Sequence, residues 1–198
     1  MAVLLQNSLF VHVPKTGSRW IWHQLLGHVD GAEYVGKSDA EAHWCPLTDL
    51  PVMMGVRHPA TWLPSYFAHR NRHGWKPRPG WIVEGELAPL DEMFQSRIKA
   101  KDFFLTIANS PGIVTRHLQF WYDRYEDTRI IRMESMAEDL IKHMEDLGES
   151  FYEGSIRAAA NVKIGKAEYK AQLTGEFTDR LWENEKAFFG QFYNGATP

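Results

Sequence analysis

Short apolar runs alternate along the chain with segments whose apolar residues recur at helical spacing. Three runs rich in apolar and β-branched residues predict strands. They are residues 8–13 (SLFVHV), 51–56 (PVMMGV) and 128–133 (TRIIRM). Helices are predicted at 20–27 or 20–31, 60–72, 90–98, 102–108, 113–122, 136–147 and 177–192, the last capped by Thr174. Strands that alternate with helices predict an α/β fold, a three-layer sandwich around a mainly parallel sheet.

The composition is that of a soluble globular protein. The 198 residues are 44% hydrophobic and 24% charged, which excludes a disordered chain and predicts a single domain over residues 1–198. No window approaches 18 consecutive apolar residues, so no membrane span is expected. The first 13 residues lack the features of a secretion signal and are predicted to form a first strand. Cys45 is the only cysteine, which excludes an internal disulfide and favours a cytoplasmic location.

Charge is distributed unevenly along the chain. The net charge is −3, from 22 basic and 25 acidic residues, which argues against a general nucleic-acid binder. Residues 1–80 contain 8 Lys and Arg against 5 Asp and Glu, whereas residues 81–198 contain 14 against 20. Seven of the nine histidines also lie in the first 80 residues. A basic N-terminal part suits a small anionic ligand, because clustered cations in a cleft focus an attractive field.

The first predicted strand runs into a short turn and then directly into a helix (FVHVPKTGSRWIW). At such a junction the backbone N–H groups point at one place, and the helix dipole adds partial positive charge. Gly17 permits close backbone approach, and Lys15 supplies a full charge. The hydroxyls of Thr16 and Ser18 are candidate donors. These features predict an anion-binding loop, but the Walker A spelling G-x-x-x-x-G-K-[ST] is absent, which disfavours a nucleoside triphosphatase.

Residues 14–20 (PKTGSRW) resemble the loop that binds the 5′-phosphosulfate in sulfotransferases that use 3′-phosphoadenosine 5′-phosphosulfate (PAPS). A second segment resembles the family's 3′-phosphate motif: Arg57 follows the strand at 51–56, and Ser65 stands eight positions later, with Tyr66 beside it. About two helical turns separate Arg57 from Ser65, so both side chains can converge on one phosphate. The pattern is nearest to carbohydrate 2-O-sulfotransferases and cytosolic sulfotransferases, and it implies a fold like that of the P-loop NTPases.

The resemblance implies a set of residues that contact the co-substrate. They are Lys15, Thr16, Gly17, Ser18, Arg19, Trp20, Arg57 and Ser65. Arg19 stands where the family usually has Thr or Ser, and Met133 stands where many members have a Tyr near the adenine. Trp20 either stacks on the adenine or packs in the core. A late basic segment resembles the loop that closes over the nucleotide, which implies a contact from Lys163 or Lys166.

Sulfuryl transfer to a hydroxyl needs a proton acceptor, and the pKa of histidine near neutrality suits that role. Many family members place a catalytic His shortly before the strand that ends in the 3′-phosphate Arg, and His43 has that position here. The resemblance therefore implies His43 as the base, with Lys15 stabilising the leaving phosphate. The alternatives are His69, His73, Glu33 and Glu41. Cys45 has no second Cys and no spaced His pair, so no metal site is expected.

Together the motifs imply a PAPS-dependent sulfotransferase that transfers a sulfuryl group to an acceptor hydroxyl and releases 3′,5′-ADP without a metal. The segment 69–81 (HRNRHGWKPRPGW) places cations among aromatic residues, which suits a lid over a small-molecule or glycan acceptor. Two other classes remain open. One is a P-loop kinase-like phosphotransferase, which would need Mg²⁺, and the other is a catalytically silent nucleotide-binding module.

Overall fold

The computed structural model describes residues 2–35, 48–76, 85–159 and 175–193 and, for residues 82–83, the backbone alone. These residues form an α/β fold. The strands are β1 (Ala2–Leu4), β2 (Leu9–Val11), β3 (Glu33–Val35), β4 (Val52–Val56), β5 (Ile82–Val83), β6 (Glu86–Leu87) and β7 (Thr128–Arg132). Five strands form a mixed sheet in the order β3-β1-β2-β4-β7, and β5 pairs with β6 in a separate hairpin.

Helices follow most of the strands along the chain. They are α1 (Ser18–His28), α2 (Pro59–His73), α3 (Pro89–Met93), α4 (Ala100–Ala108), α5 (Ile113–Tyr122), α6 (Met136–Asp146), α7 (Glu153–Ala159), α8 (Gly175–Asn184) and α9 (Lys186–Phe192). A 3₁₀ turn over Met133–Ser135 joins β7 to α6. None of the described helices has the length and apolarity that a membrane span requires.

The carboxyl ends of three parallel strands meet at one edge of the sheet. β1 is antiparallel to β2 and β3, whereas β2, β4 and β7 are parallel, with Leu9 opposite Val52 and Val52 opposite Thr128. The segments that follow these three strands are 12–17, 57–58 and 133–135. They are therefore neighbours at the edge where ligands bind in open α/β sheets.

Two hydrophobic cores lie on opposite faces of the sheet, because alternate residues of a strand point to opposite sides. In β4, Val52, Met54 and Val56 face a core that includes residues of α2, α4 and α5, and Met53 faces a second core with α1 and α6. All four side chains are fully buried. Helices on both faces of a central sheet are compatible with the three-layer architecture predicted from the sequence.

The strands predicted at 51–56 and 128–133 are confirmed to within one residue at each end, and the helix predicted at 113–122 is confirmed at both ends. The strand predicted at 8–13 is confirmed by β2, which covers its central residues, but β1 precedes it, so the first 13 residues form a hairpin and not the one strand expected. β3 and α7 were not predicted. β3 has only three residues and two of its side chains are exposed, so it has no apolar run to detect.

The last predicted helix is in fact divided into α8 and α9 at Glu185. The backbone of Glu185 has φ −113° and ψ 25°, outside the helical range. Its buried carboxylate accepts hydrogen bonds from the N–H groups of Val114 (3.0 Å) and Thr115 (2.8 Å) at the start of α5. Burial raises the pKa of Glu185, and the helix N–H groups stabilise its charged form. This cap holds the junction between α8 and α9 against the start of α5.

The segment 69–81 does not form a lid over its whole length, because α2 includes its first five residues. Arg70 is fully buried, and its guanidinium pairs with Asp91 at 2.8 Å. Trp75 lies in the core, and the Arg70 guanidinium lies over its ring, 5.5 Å from the ring centroid. These two residues therefore connect α2 to α3 and are not available to an acceptor. Residues 77–81 lie outside the described residues.

We expect the protein to lose stability as the pH falls, because a histidine is buried in its neutral form. His117 on α5 is 2% exposed, its Nδ1 accepts the N–H of Leu90 at 3.2 Å, and its ring packs against Trp62. Burial lowers the pKa of His117 from 6.5 to about 4. Below pH 6.5 the unfolded chain takes up a proton here, whereas the folded chain takes it up near pH 4. His117 alone should lower the free energy of unfolding by about 3 kcal/mol across this window.

Denaturant unfolding at about pH 7 and about pH 4.5 measures this loss. A His117→Gln variant retains an acceptor for Leu90 and should lose the share of the pH dependence that His117 contributes, while the share of buried His12 remains. The matched control is His23→Gln, because His23 is exposed on α1. If His117→Gln retained the full pH dependence of the wild-type chain, a role for His117 would be excluded.

Candidate functional site

Residues 15–19 form a loop whose backbone is already shaped for an anion. Lys15 has φ 68° and Gly17 has φ 87°, whereas the backbone of Thr16 between them does not have a positive φ. Such alternation turns successive N–H groups towards one side, as in the nests that bind phosphates. Within the described part of the chain, the N–H groups of 15–19 donate no backbone hydrogen bond of normal length and angle. Lys15 is the only described non-glycine residue with positive φ, a conformation that costs about 1–2 kcal/mol and often marks a functional site.

The hydroxyls of Thr16 and Ser18 point into the protein and not towards the open side of the loop. Thr16 Oγ1 and Ser18 Oγ lie 2.9 and 2.8 Å from the carbonyl oxygen of Val13 and 2.8 Å from each other. Both side chains are buried. Because each hydroxyl has one proton, these contacts use both of them. The predicted donation from these hydroxyls to an anion therefore does not fit this geometry, and the backbone N–H groups are the available donors.

The loop packs directly against the next parallel strand and its helix. A Cβ atom at Gly55 in β4 would lie 2.8 Å from Thr16 Oγ1 and 3.1 Å from the Thr16 carbonyl oxygen, so only glycine allows this approach. The indole N–H of Trp62 in α2 donates to the carbonyl of Pro14 at 3.0 Å. The two motifs of the sequence, residues 14–20 and the β4–α2 junction, are therefore adjacent in space.

Methionine side chains cover the other side of the loop. A Cβ atom at Gly17 would lie 2.8 Å from Met136 Sδ and 3.3 Å from Met133 Cγ. Both methionines follow β7 and are partly buried. The third parallel strand thus also contributes to the surroundings of the loop, and Met133 is one of the two positions at which the sequence departs from the family pattern.

Arg57 stands at the end of β4, is 7% exposed, and donates from Nε to Thr61 Oγ1 at 2.9 Å. Its two terminal nitrogens have no hydrogen-bond partner among the described residues. Thr61, Ser65 and His69 follow one another at intervals of four on α2 and therefore share one face of the helix. Ser65 is partly buried, and its hydroxyl has no hydrogen-bond partner among the described residues.

Four cations share the space around the loop. Burial lowers the pKa of Lys15, and the charges of Arg57, Arg72 and Arg19 lower it further, in that order. Within the described ranges, no carboxylate lies within 4.0 Å of the charged groups of Lys15, Arg19 or Arg57. Like charges held this close repel one another, so an anion bound here would relieve that repulsion.

His12 lies at the base of the same cluster, one residue beyond β2. Burial lowers its pKa to about 4, and the charges of Lys15, Arg19 and His69 add to this effect. Its Nδ1 atom is buried without a hydrogen-bond partner in the described structure. His12 is therefore neutral at pH 7.

His69 also contacts His73, with 4.6 Å between the ring centroids.

Sequence reasoning missed two charged residues of this site, Arg72 and Glu134. Arg72 lies seven residues after Ser65, which places both on the same face of α2. This spacing could have indicated from the sequence that Arg72 belongs to the site. The carboxylate of Glu134 accepts the N–H of His58 at 3.1 Å and the hydroxyl proton of Tyr193 at 2.8 Å. Because Tyr193 is 59 residues away from Glu134 along the chain, no local pattern indicated this contact.

Two of the candidates are placed away from the anion loop. Trp20 is 9% exposed in the core between α1, α6 and α7, and its indole N–H donates to the carbonyl of Ala159 at 2.9 Å. This is the core position that the sequence left open as an alternative to stacking. Glu33 lies on β3 and pairs with Leu4 of β1, which in turn pairs with Leu9, the first residue of β2. Glu33 is therefore two strands away from β2, at the end of β2 opposite the loop. As a candidate base it is therefore excluded by distance, since two strand spacings alone span about 10 Å.

Some predicted residues lie outside the described residues: His43, Cys45, Glu41, Lys163, Lys166 and Thr174. Among the described alternatives for the base, His69 lies close enough for its charge to act on His12 at the base of the cation cluster. The chain matches no protein-family model, no curated protein and no solved structure. The chemistry of the site must therefore be inferred from its own residues.

Proposed function

We propose that the chain is a PAPS-dependent sulfotransferase with a P-loop-like fold. The observation that supports this proposal is the adjacency of two anion-binding groups, the N–H groups of 15–19 with Lys15 and the guanidinium of Arg57. PAPS has a phosphosulfate on the 5′ side of its ribose and a phosphate on the 3′ side. Two cation-rich groups on neighbouring parallel strands suit a ligand with two such anionic ends.

In this proposal the loop holds the 5′-phosphosulfate, and Arg57 with Ser65 holds the 3′-phosphate. The terminal nitrogens of Arg57 have no partner among the described residues, so the guanidinium can form a bidentate pair with phosphate oxygens. Arg19 and Arg72 add charge around the loop and balance the high negative charge of PAPS. The loop needs no reshaping, which reduces the entropic cost of binding.

The proposed reaction is an in-line displacement at sulfur. The acceptor hydroxyl oxygen forms a bond to sulfur while the bond from sulfur to the 5′-phosphate oxygen breaks, and that oxygen keeps the electron pair. Lys15 stabilises the charge that develops on the leaving phosphate. The hydroxyl proton passes to a base, for which His43 is the proposed residue and His69 is the described alternative. The acceptor is a small molecule or a glycan with a free hydroxyl.

Calorimetric titration with 3′,5′-ADP tests the proposal. We expect binding in buffer without Mg²⁺, and we expect 5′-AMP to bind about 10-fold to 100-fold more weakly, because it lacks the phosphate that Arg57 would bind. The matched control ligand is ADP with Mg²⁺, which carries the same number of phosphates on one side of the ribose. Equal affinity for 3′,5′-ADP and 5′-AMP, or a requirement for Mg²⁺, would contradict the proposal and favour a kinase-like phosphotransferase.

A transfer assay separates the enzyme from a silent module. Incubation with PAPS and a panel of phenolic and glycan acceptors should release 3′,5′-ADP only when an acceptor hydroxyl is present. Tight binding of 3′,5′-ADP without release of product from any acceptor would favour a silent nucleotide-binding module.

A further inference from the structure

Glu134 is the one carboxylate in the described structure that acts on Arg57, and it is held close to the guanidinium without pairing with it. Burial lowers the pKa of Arg57, and the nearby charge of Glu134 raises it. The carboxylate nevertheless lies beyond the 4.0 Å limit of an ion pair with Arg57. A flexible, exposed glutamate next to an unpaired guanidinium would ordinarily close that gap.

Two hydrogen bonds explain why the gap stays open. Oε1 of Glu134 accepts the backbone N–H of His58, and Oε2 accepts the hydroxyl proton of Tyr193. The ring of Tyr193 packs 5.9 Å from the ring of His58 and 6.1 Å from that of Phe189, so its hydroxyl is held in place by α9. The two donors thus lie at the start of α2 and the end of α9, and each binds one oxygen of the carboxylate.

We propose that Tyr193 and the His58 N–H tether Glu134 away from Arg57, and that this tether sets the affinity and selectivity of the Arg57 anion site. While the tether holds, the guanidinium remains open to a ligand phosphate. The charge of Glu134 still repels that phosphate and lowers the affinity that Arg57 provides. When the tether breaks, Glu134 pairs with Arg57 and competes with the ligand. The inference rests on the proposed function for the identity of the ligand.

The tether predicts that replacing Glu134 and replacing Tyr193 change the affinity for 3′,5′-ADP in opposite directions. Glu134→Gln removes the negative charge beside the site, so 3′,5′-ADP should bind about threefold to fivefold more tightly. Tyr193→Phe removes one hydrogen bond and leaves the charge free to pair with Arg57, so binding should weaken by about the same factor. The double variant should behave like Glu134→Gln, because without the charge there is nothing to tether.

The test is a calorimetric titration of the wild-type chain, the three variants and the control Glu138→Gln, an exposed glutamate on α6. Glu138→Gln should leave the affinity unchanged, and 5′-AMP should respond to none of the variants. Changes of the same sign in Glu134→Gln and Tyr193→Phe, or an additive double variant, would overturn the tether. A purely structural role would give that result together with a lower midpoint of thermal unfolding.

Failure of the proposed function gives a different result from failure of the tether. If the wild-type chain binds no 3′,5′-ADP, the proposed function fails, and the same proteins are titrated with inorganic phosphate. Opposite signs for the two single variants with that probe would still support the tether at an anion site of another kind. If the wild-type chain binds 3′,5′-ADP and the single variants do not differ from it, the tether is excluded while the proposed function stands.

Discussion

Replacing Lys15 with alanine is expected to lower kcat for sulfuryl transfer by about 100-fold to 1,000-fold, the size of effect seen when one preorganised donor to developing charge is removed. The backbone of Lys15 belongs to the amide loop, and its side chain adds a full charge there. The charge on the leaving phosphate grows as the bond to sulfur breaks. The ammonium group therefore stabilises the transition state more than the ground state, and kcat should fall more than affinity.

Single-turnover kinetics with PAPS and the best acceptor measure this effect, and titration with 3′,5′-ADP measures binding separately. The control is Lys101→Ala, an exposed lysine on α4, which should change neither value. Alanine at position 15 must also adopt φ 68°, so the midpoint of thermal unfolding is compared for both variants. A Lys15→Ala enzyme with wild-type kcat would exclude the proposed mechanism.

The second large effect is expected at Arg57. Arg57→Ala should weaken the binding of 3′,5′-ADP by about 10-fold to 100-fold, since it removes a charge-assisted pair with the 3′-phosphate. Binding of 5′-AMP should change little, because that ligand lacks the phosphate concerned. Arg57→Lys should restore only part of the affinity, since an ammonium group cannot form the bidentate pair.

Titration of both ligands against Arg57→Ala, Arg57→Lys and the control Arg97→Ala measures these differences. Arg97 is exposed between α3 and α4, so its replacement changes the net charge by the same amount away from the site. Arg57 also donates to Thr61, and a Thr61→Val variant, which keeps the guanidinium, shows whether the loss of that bond alone affects binding. A uniform loss of affinity for both ligands would contradict the assignment of Arg57 to the 3′-phosphate.

Local signals explain why much of the fold was predictable. The runs at 51–56 and 128–133 become β4 and β7 because each is short, apolar and followed by a helix. The same logic located the loop at 15–19, since a strand that enters a helix through a Gly-containing turn has few alternative conformations. The side chains of Thr16 and Ser18 were harder to orient, because a hydroxyl can serve either a ligand or a nearby carbonyl.

Contacts between distant parts of the chain explain what could not be predicted. Glu185 breaks the last helix to cap α5, about 70 residues earlier in the chain, and helical periodicity carries no sign of this partner. Glu134 meets Tyr193 only because α9 is anchored in that position. Arg70 belongs to a basic, aromatic segment that resembled an exposed lid, but its ion pair with Asp91 is buried. In each case a tertiary partner decided the outcome, and the partner was not visible in the local sequence.

The crowding of positive charge around Lys15 has a consequence for the life of the protein in a cell. Folding brings these groups close to one another, so the empty protein is less stable than the same fold with its anion bound. Chaperones and proteases act on the small unfolded fraction, which shrinks as the anion saturates the site. The abundance of the protein would then rise and fall with the supply of its nucleotide, independently of how fast it is synthesised.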